Sequence, residues 1–163
     1  MLFRSGRAVE DVVTELLRHA FFAAPPPKST GREAFGDDCA RRLIELVRAK
    51  GGAASNDDCL ATAVRLTARA VAEQLGHWVK APKASEILVS GGGARNATLM
   101  TALRKALPAW SVRQFSEVFF DGEAKEAVAF ALLGWLTIAG EPGNVPSATG
   151  AKGPRVLGRI TPA

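Results

Sequence analysis

The stretch ILVSGGGARN, residues 87–96, decides how this chain is read. Ile87, Leu88 and Val89 form a short apolar run suited to a buried strand, and Gly91, Gly92 and Gly93 close it with a tight turn. Asn96 then supplies an N-cap for a helix with Leu99, Met100, Leu103 and Leu107 on one side, stopped by Pro108. Glycines let a ligand approach the backbone, and the N–H groups at a helix start favour an anion such as phosphate. The arrangement suits a nucleotide. It is not a Walker loop, because no Gly-Lys-Ser/Thr follows. Nor is it a dinucleotide fingerprint, because Asn96 stands where the last glycine belongs. Taken alone, the glycines fit a plain strand-to-helix turn equally well.

Outward from this stretch the pattern is mainly helical. Val9, Val12, Val13, Leu16, Leu17, Ala20 and Phe21 make one amphipathic stripe that Pro25, Pro26 and Pro27 end. Leu43, Ile44, Leu46 and Val47 mark a second helix running out at Gly51 and Gly52. Asn56 is the expected cap of a third, with Asp57 and Asp58 in its first turn, a stripe of Leu60, Val64, Thr67, Val71, Leu75 and Trp78, and a stop at Pro82. After the glycine loop and its helix, Trp110 to Phe115 reads as a second strand. Glu123 to Ala139 reads as a helix apolar nearly all round past its first turn, hence packed on more than one side, with Gly140 and Pro142 as its stop. Arg155 to Ile160 is a possible edge strand. About five helices and two or three strands are few strands for a self-sufficient sheet, where about five are usual.

The 163 residues fit one domain or a piece of a larger protein. With 47% hydrophobic and 23% charged residues the chain can bury a core, which excludes a disordered polymer. The net charge of +5 suits any polyanion and chooses none. Cys39 and Cys59 form no CxxC pair and read as free thiols of a reducing cytoplasm. No apolar run in the first nine residues is long enough for a signal peptide, and Ala127 to Ala139 is too short to span a bilayer, so a cytoplasmic protein without a membrane partner is expected. His19 and His77 have no partner at ligand or triad spacing and read as packing or surface residues. No metal site is visible.

Five segments in order carry a resemblance: PPPKSTGREAF (25–35), DCLATAVRLTA (58–68), GGGARNATLM (91–100), DGEAKEAVAFALLGW (121–135) and PSATGAKGPRVLG (146–158). Together they resemble the C-terminal half of the anhydro-N-acetylmuramic acid kinase family, over nearly the whole chain from about Gly6 onward. The resemblance implies the superfamily of sugar kinases, actin and heat-shock chaperones, in which ATP lies between two ribonuclease-H-like domains. Residues 1–163 would be an incomplete, helix-rich α/β domain with a small sheet: the C-terminal, adenosine-side portion, with the N-terminal domain absent. The implied reaction opens the 1,6-anhydro ring of anhydro-N-acetylmuramic acid with water and moves the γ-phosphate of ATP to the released 6-hydroxyl, in recycling of cell-wall peptidoglycan. Magnesium would arrive with ATP, and complete members are homodimers.

By the same resemblance, Gly91, Gly92, Gly93 and Asn96 match the adenosine loop, with Arg95 over the adenine face, where a guanidinium stacks on a π system. Glu126 corresponds to a glutamate near the sugar pocket and would accept hydrogen bonds from sugar hydroxyls. Lys28, Ser29, Thr30 and Arg32 lie in a matched loop without individual roles. The family's phosphate-gripping loop and catalytic aspartate belong to the N-terminal half and have no match here, so no catalytic residue is expected in this chain and no turnover from it alone. Phe119 and Phe120 stand where the family has a glycine-containing turn, a departure that bears on the sugar side. Two other readings compete. A tRNA threonylcarbamoyl-transfer protein of the same superfamily would suit the basic charge, although no nucleic-acid partner is expected from the better-fitting kinase motifs. A non-catalytic nucleotide-binding remnant would suit the small sheet.

Overall fold

The computed structural model describes residues 6–79 and 85–161. The stop expected at Pro82 and the first five residues of the leader reading lie outside the described residues. Among the described residues the chain is a helix-rich α/β protein with one two-stranded parallel sheet. It divides into two units: one runs through Ala24 and from Thr30 to Gln114, and the other comprises Pro25–Ser29 and the residues from Phe115 onward.

The first unit holds α1 (Glu10–Leu16), α2 (Ala20–Ala23), α3 (Arg32–Phe35), α4 (Asp37–Lys50), α5 (Asn56–Trp78), β1 (Ser85–Val89), α6 (Ala97–Ala106) and β2 (Trp110–Gln114). The single helix expected from Val9 to Phe21 is two. His19 adopts an extended backbone and its Nδ1 accepts the Phe21 N–H at 3.2 Å, so it caps α2 and breaks the run. The break lets Phe21 and Phe22 meet Phe35, with ring centroids 5.6 and 5.4 Å apart, and His19 itself stacks 5.2 Å from Phe35. A continuous helix would have carried these rings past one another.

The cap of α5 is Ser55, one residue before the expected Asn56. Its hydroxyl accepts the Asp58 N–H, and the Asp58 carboxylate accepts the Ser55 N–H at 2.7 Å, a reciprocal capping box. The buried face of α5 matches the expected stripe only in part, with Val71 and Leu75 packed against the core. Cys59, Thr62 and Ala68 are buried, whereas Leu60 and Trp78 are about 40% exposed, at 40% and 41%. Small side chains let neighbouring helices approach closely, and the larger apolar residues flank the contact. Thr62 is fully buried but satisfied: its hydroxyl donates to the Asp58 carbonyl and accepts the Val9 N–H at 3.1 Å.

Two cores result. Val12, Leu43, Val47 and Cys59 close α1 and α4 onto the first half of α5. Ala68, Met100, Leu103, Leu107 and Val112 join the second half of α5 to α6 and the sheet, with Ile87 and Val89 packed against them. Each large side chain so buried contributes about 1.5–3 kcal/mol. β1 and β2 pair in parallel, Ile87 opposite Val112 and Val89 opposite Gln114. The second strand ends one residue before the expected Phe115, which begins a short 3-10 turn.

In the second unit, α7 (Lys125–Ala139) ends as expected at Gly140, in the left-handed region at φ +70. A further short helix, α8 (Pro146–Thr149), was not signalled. The edge strand expected at Arg155 to Ile160 does not form. Asn144 clamps that segment as a loop instead, accepting the Arg155 N–H at 2.7 Å and donating to the Gly153 carbonyl at 3.1 Å, while Gly143 N–H donates to the Arg155 carbonyl. Three bonds to one short segment leave no regular ladder of strand pairing. Of the packing on more than one side expected for α7, its own unit supplies one side: only Leu133, Leu136 and Thr137 are half-buried. Within its own unit, the looped tail covers that single stripe.

Candidate functional site

The glycine loop sits between β1 and α6, at the C-terminal end of the strand. Gly91 has φ +79 and ψ −169, a conformation almost reserved for glycine, and turns the chain out of the strand. Gly92 to Arg95 then form a 3-10 turn closed by Ala94 N–H to Gly91 O at 3.0 Å. Ala94 is buried and pins the turn, while all three glycines and Arg95 face solvent. A Cβ placed on Gly91 or Gly92 would meet no atom within 4 Å. Internal packing therefore gives no reason for a glycine at 92.

Asn96 does what its position promised. Its Oδ1 accepts the N–H groups of Thr98 and Leu99, each at 3.1 Å, and starts α6. That oxygen is thereby committed to the cap, which limits what the side chain offers a ligand. At Gly93 a Cβ would lie 3.4 Å from Leu99 Cδ2, an ordinary contact. Gly91, Gly92, Gly93, Arg95 and Asn96 are thus brought together on one turn. Glu126 belongs to the other unit, exposed in the first turn of α7 after an Ala124 cap that makes no side-chain bond.

The residues of the 25–33 loop have local work. The Glu33 carboxyl is held below its ordinary value by its own backbone N–H, then by the Gly31 N–H at 2.6 Å and the Thr30 hydroxyl. Thr30 thus closes a turn at the start of α3, and Arg32 is the first residue of that helix. Lys28 and Ser29 fall in the second unit. Phe119 and Phe120 pack on Phe115, at 5.1 and 5.3 Å between ring centroids, and remain 61% and 43% exposed. His77 stacks on Trp78 at 5.5 Å.

One feature had no signal in the sequence. A groove of about 580 Å³ opens between α5 and α6, lined by Ala61, Val64, Arg65, Thr98, Thr101 and Lys105 among others. It begins at Ala97, directly after Asn96. Its walls come from residues as far apart in the chain as Ala61 and Lys105, so no spacing pattern announces it. Arg65 is paired there with Glu10 at 2.7 Å. Among the described residues, no group of three or more His, Cys, Asp or Glu side chains is placed to hold a metal ion, and no helix is long and apolar enough to cross a membrane.

A model of the anhydro-N-acetylmuramic acid kinase family matches residues 2–163. The protein of that name from Streptomyces avermitilis is 41% identical over 157 residues, covering 96% of this chain and 39% of the relative. The one from Parasynechococcus marenigrum is 40% identical over 164 residues, covering 98% and 42%. The one from Pasteurella multocida is 38% identical over 159 residues, covering 98% and 41%. The chain therefore spans about 40% of the length of these curated relatives. A family match that runs through β1, the Gly91 turn, the capped α6, α7 and the Asn144-clamped tail covers both units, and the chain belongs to the anhydro-N-acetylmuramic acid kinase family.

Proposed function

We propose that this chain is the adenosine-side, C-terminal portion of an ATP-dependent kinase that opens 1,6-anhydro-N-acetylmuramic acid and phosphorylates the 6-hydroxyl. The observation that carries the reading is the Gly91–Arg95 turn at the end of β1, whose exposed glycines leave open space where a side chain would otherwise stand. A flat adenine and its ribose can rest on such a backbone surface, and Arg95, on the same turn, would stack on the ring. The parallel strand, glycine turn and capped helix are consistent with a ribonuclease-H-like domain of the sugar kinase superfamily. The two strands are only part of such a sheet.

ATP supplies the phosphoryl group, and magnesium arriving with it would offset the charge of the phosphates. The role of this chain is to hold the nucleoside end. Glu126 would serve the sugar side by accepting hydrogen bonds from hydroxyls. Phosphoryl transfer needs the reacting oxygens held in line, so the chain alone is expected to bind nucleotide without turnover. In the complete enzyme, a homodimer of the cytoplasm on this reading, the remaining length of the polypeptide supplies the phosphate grip and the base for water. The tRNA-directed alternative loses its ground with the family shown, since it rested on the glycine loop and charge alone.

The test is ATP affinity of the complete native polypeptide with and without Arg95→Ala. A cation–π contact is worth about 0.5–2 kcal/mol, so the expected loss is about twofold to thirtyfold in Kd. Unchanged affinity in a folded variant would remove Arg95 from the site.

A further inference from the structure

Of the three glycines in the turn, one is backed by a side chain. A Cβ on Gly91 or Gly92 would meet no atom within 4 Å, whereas one on Gly93 would lie 3.4 Å from Leu99 Cδ2. Leu99 is tied to the same turn through its backbone, because its N–H donates to Asn96 Oδ1 at 3.1 Å. It also packs, half-buried, against the core of Ala68, Met100, Leu103, Leu107 and Val112. All of these residues belong to the first unit. The turn itself is closed by Ala94 N–H to Gly91 O at 3.0 Å and Asn96 N–H to Gly93 O at 3.1 Å. Bonds of a short 3-10 turn have poor geometry, and glycine loses more freedom on ordering than any other residue. A methyl group seated against Gly93 restricts that freedom before any ligand arrives.

We propose, on the nucleoside reading of the turn given above, that Leu99 is a positioning residue for that site. It connects the core to the turn and, with buried Ala94, holds Gly93 against α6, so that the open surface at Gly92 is presented in its binding geometry without ligand. The two glycines then differ in kind. Bulk at Gly92 projects into open space and obstructs a ligand, whereas a methyl at Gly93 points inward at Leu99.

The experiment compares Leu99→Ala with Leu103→Ala in the complete native polypeptide. Leu103 lies one turn further along α6, is 5% exposed in the same core, and comes within 4 Å of no Cβ placed on the three glycines. Both truncations loosen the core, but only the first withdraws the methyl from Gly93. Exchange of the Ala94 and Asn96 amides, measured without nucleotide, reports the turn, and calorimetry gives the Kd for ATP. Ordering a loosened element on binding costs about twofold to tenfold in affinity. Leu99→Ala should speed both amides beyond its effect on global unfolding and raise Kd by that factor. Leu103→Ala should do neither, and Leu99→Met should restore both. Where the alanine variants do not fold, Leu99→Val against Leu103→Val makes the same comparison with a smaller loss to the core. Equal effects at the two positions would overturn the proposal, by making Leu99 one more core residue. An unchanged Kd in Leu99→Ala, with ATP weakened by Gly92→Val, would refute the positioning role and leave the nucleoside site standing. An unchanged Kd in both would refute the nucleoside reading itself.

Discussion

Replacing Gly91 and Gly92 one at a time separates a glycine that the backbone requires from one that the proposed nucleoside site would require. Gly91 sits at φ +79 and ψ −169, where a Cβ-bearing residue is strained by about 1–3 kcal/mol. No neighbour adds to that, because a Cβ there meets nothing within 4 Å. Gly92 has no positive φ and equally open surroundings. Alanine there restricts the unfolded chain and is expected to stabilise by about 0.4–1 kcal/mol. The two alanine variants should therefore move in opposite directions, about 1.4–4 kcal/mol apart. Urea midpoints followed by circular dichroism measure the difference. The second half of the experiment uses Gly92→Val, whose methyl groups project into the space assigned to the nucleoside. ATP affinity by calorimetry in the complete polypeptide should fall at least tenfold, which is about 1.4 kcal/mol, with the fold intact. Equal destabilisation by both alanines would refute the loop geometry. A folded Gly92→Val protein with unaltered ATP affinity would refute the placement of the nucleoside.

The other predictions concern the sugar side, the core and acid. Glu126→Gln in the complete enzyme should lower kcat/KM for the anhydro sugar while leaving ATP affinity unchanged, and an unaltered specificity constant removes Glu126 from the site. Met100→Ala, at a side chain only 2% exposed between α5, α6 and the sheet, should cost about 2–5 kcal/mol by urea denaturation. The Asp58 carboxyl is held below its ordinary value by the Arg7 N–H, then by the Ser55 N–H and hydroxyl. A depressed carboxyl contributes stability above its unfolded value of 3.8 and loses it as the pH falls through the lower folded value. Unfolding free energies measured from pH 6 to pH 2 should decline less steeply in Asp58→Asn, and parallel curves would show that the capping box carries no proton linkage.

How much was legible in the sequence follows the range of the interactions. Asn96 as the cap of α6, the strand at Ile87–Val89, the end of α7 at Gly140 and the end of α4 at Gly51 were read correctly, because each depends on a residue and its neighbours within one turn. The cap of α5 slipped from Asn56 to Ser55 because both residues are good caps. Only the reciprocal bond with Asp58 at the third helical position separates them. His19 carried no helix-breaking signal in the apolar pattern. Its capping role appears only when Phe21 and Phe22 are seen to gather on Phe35, a residue beyond three prolines. The loop over Arg155 to Ile160 was read as a strand because Asn144, eleven residues before Arg155, decides the matter through its side chain.

The sequence by itself determined the helix-rich α/β class, the glycine turn between a strand and a capped helix, and the family. All of these are written in local pattern or in the order of a few segments within this one chain. Only the tertiary structure decided which glycine of the turn its own backbone requires and which face of α5 is buried. The reason is physical: dihedral preferences and caps act within a few residues, whereas burial is settled by side chains that meet from distant parts of the chain.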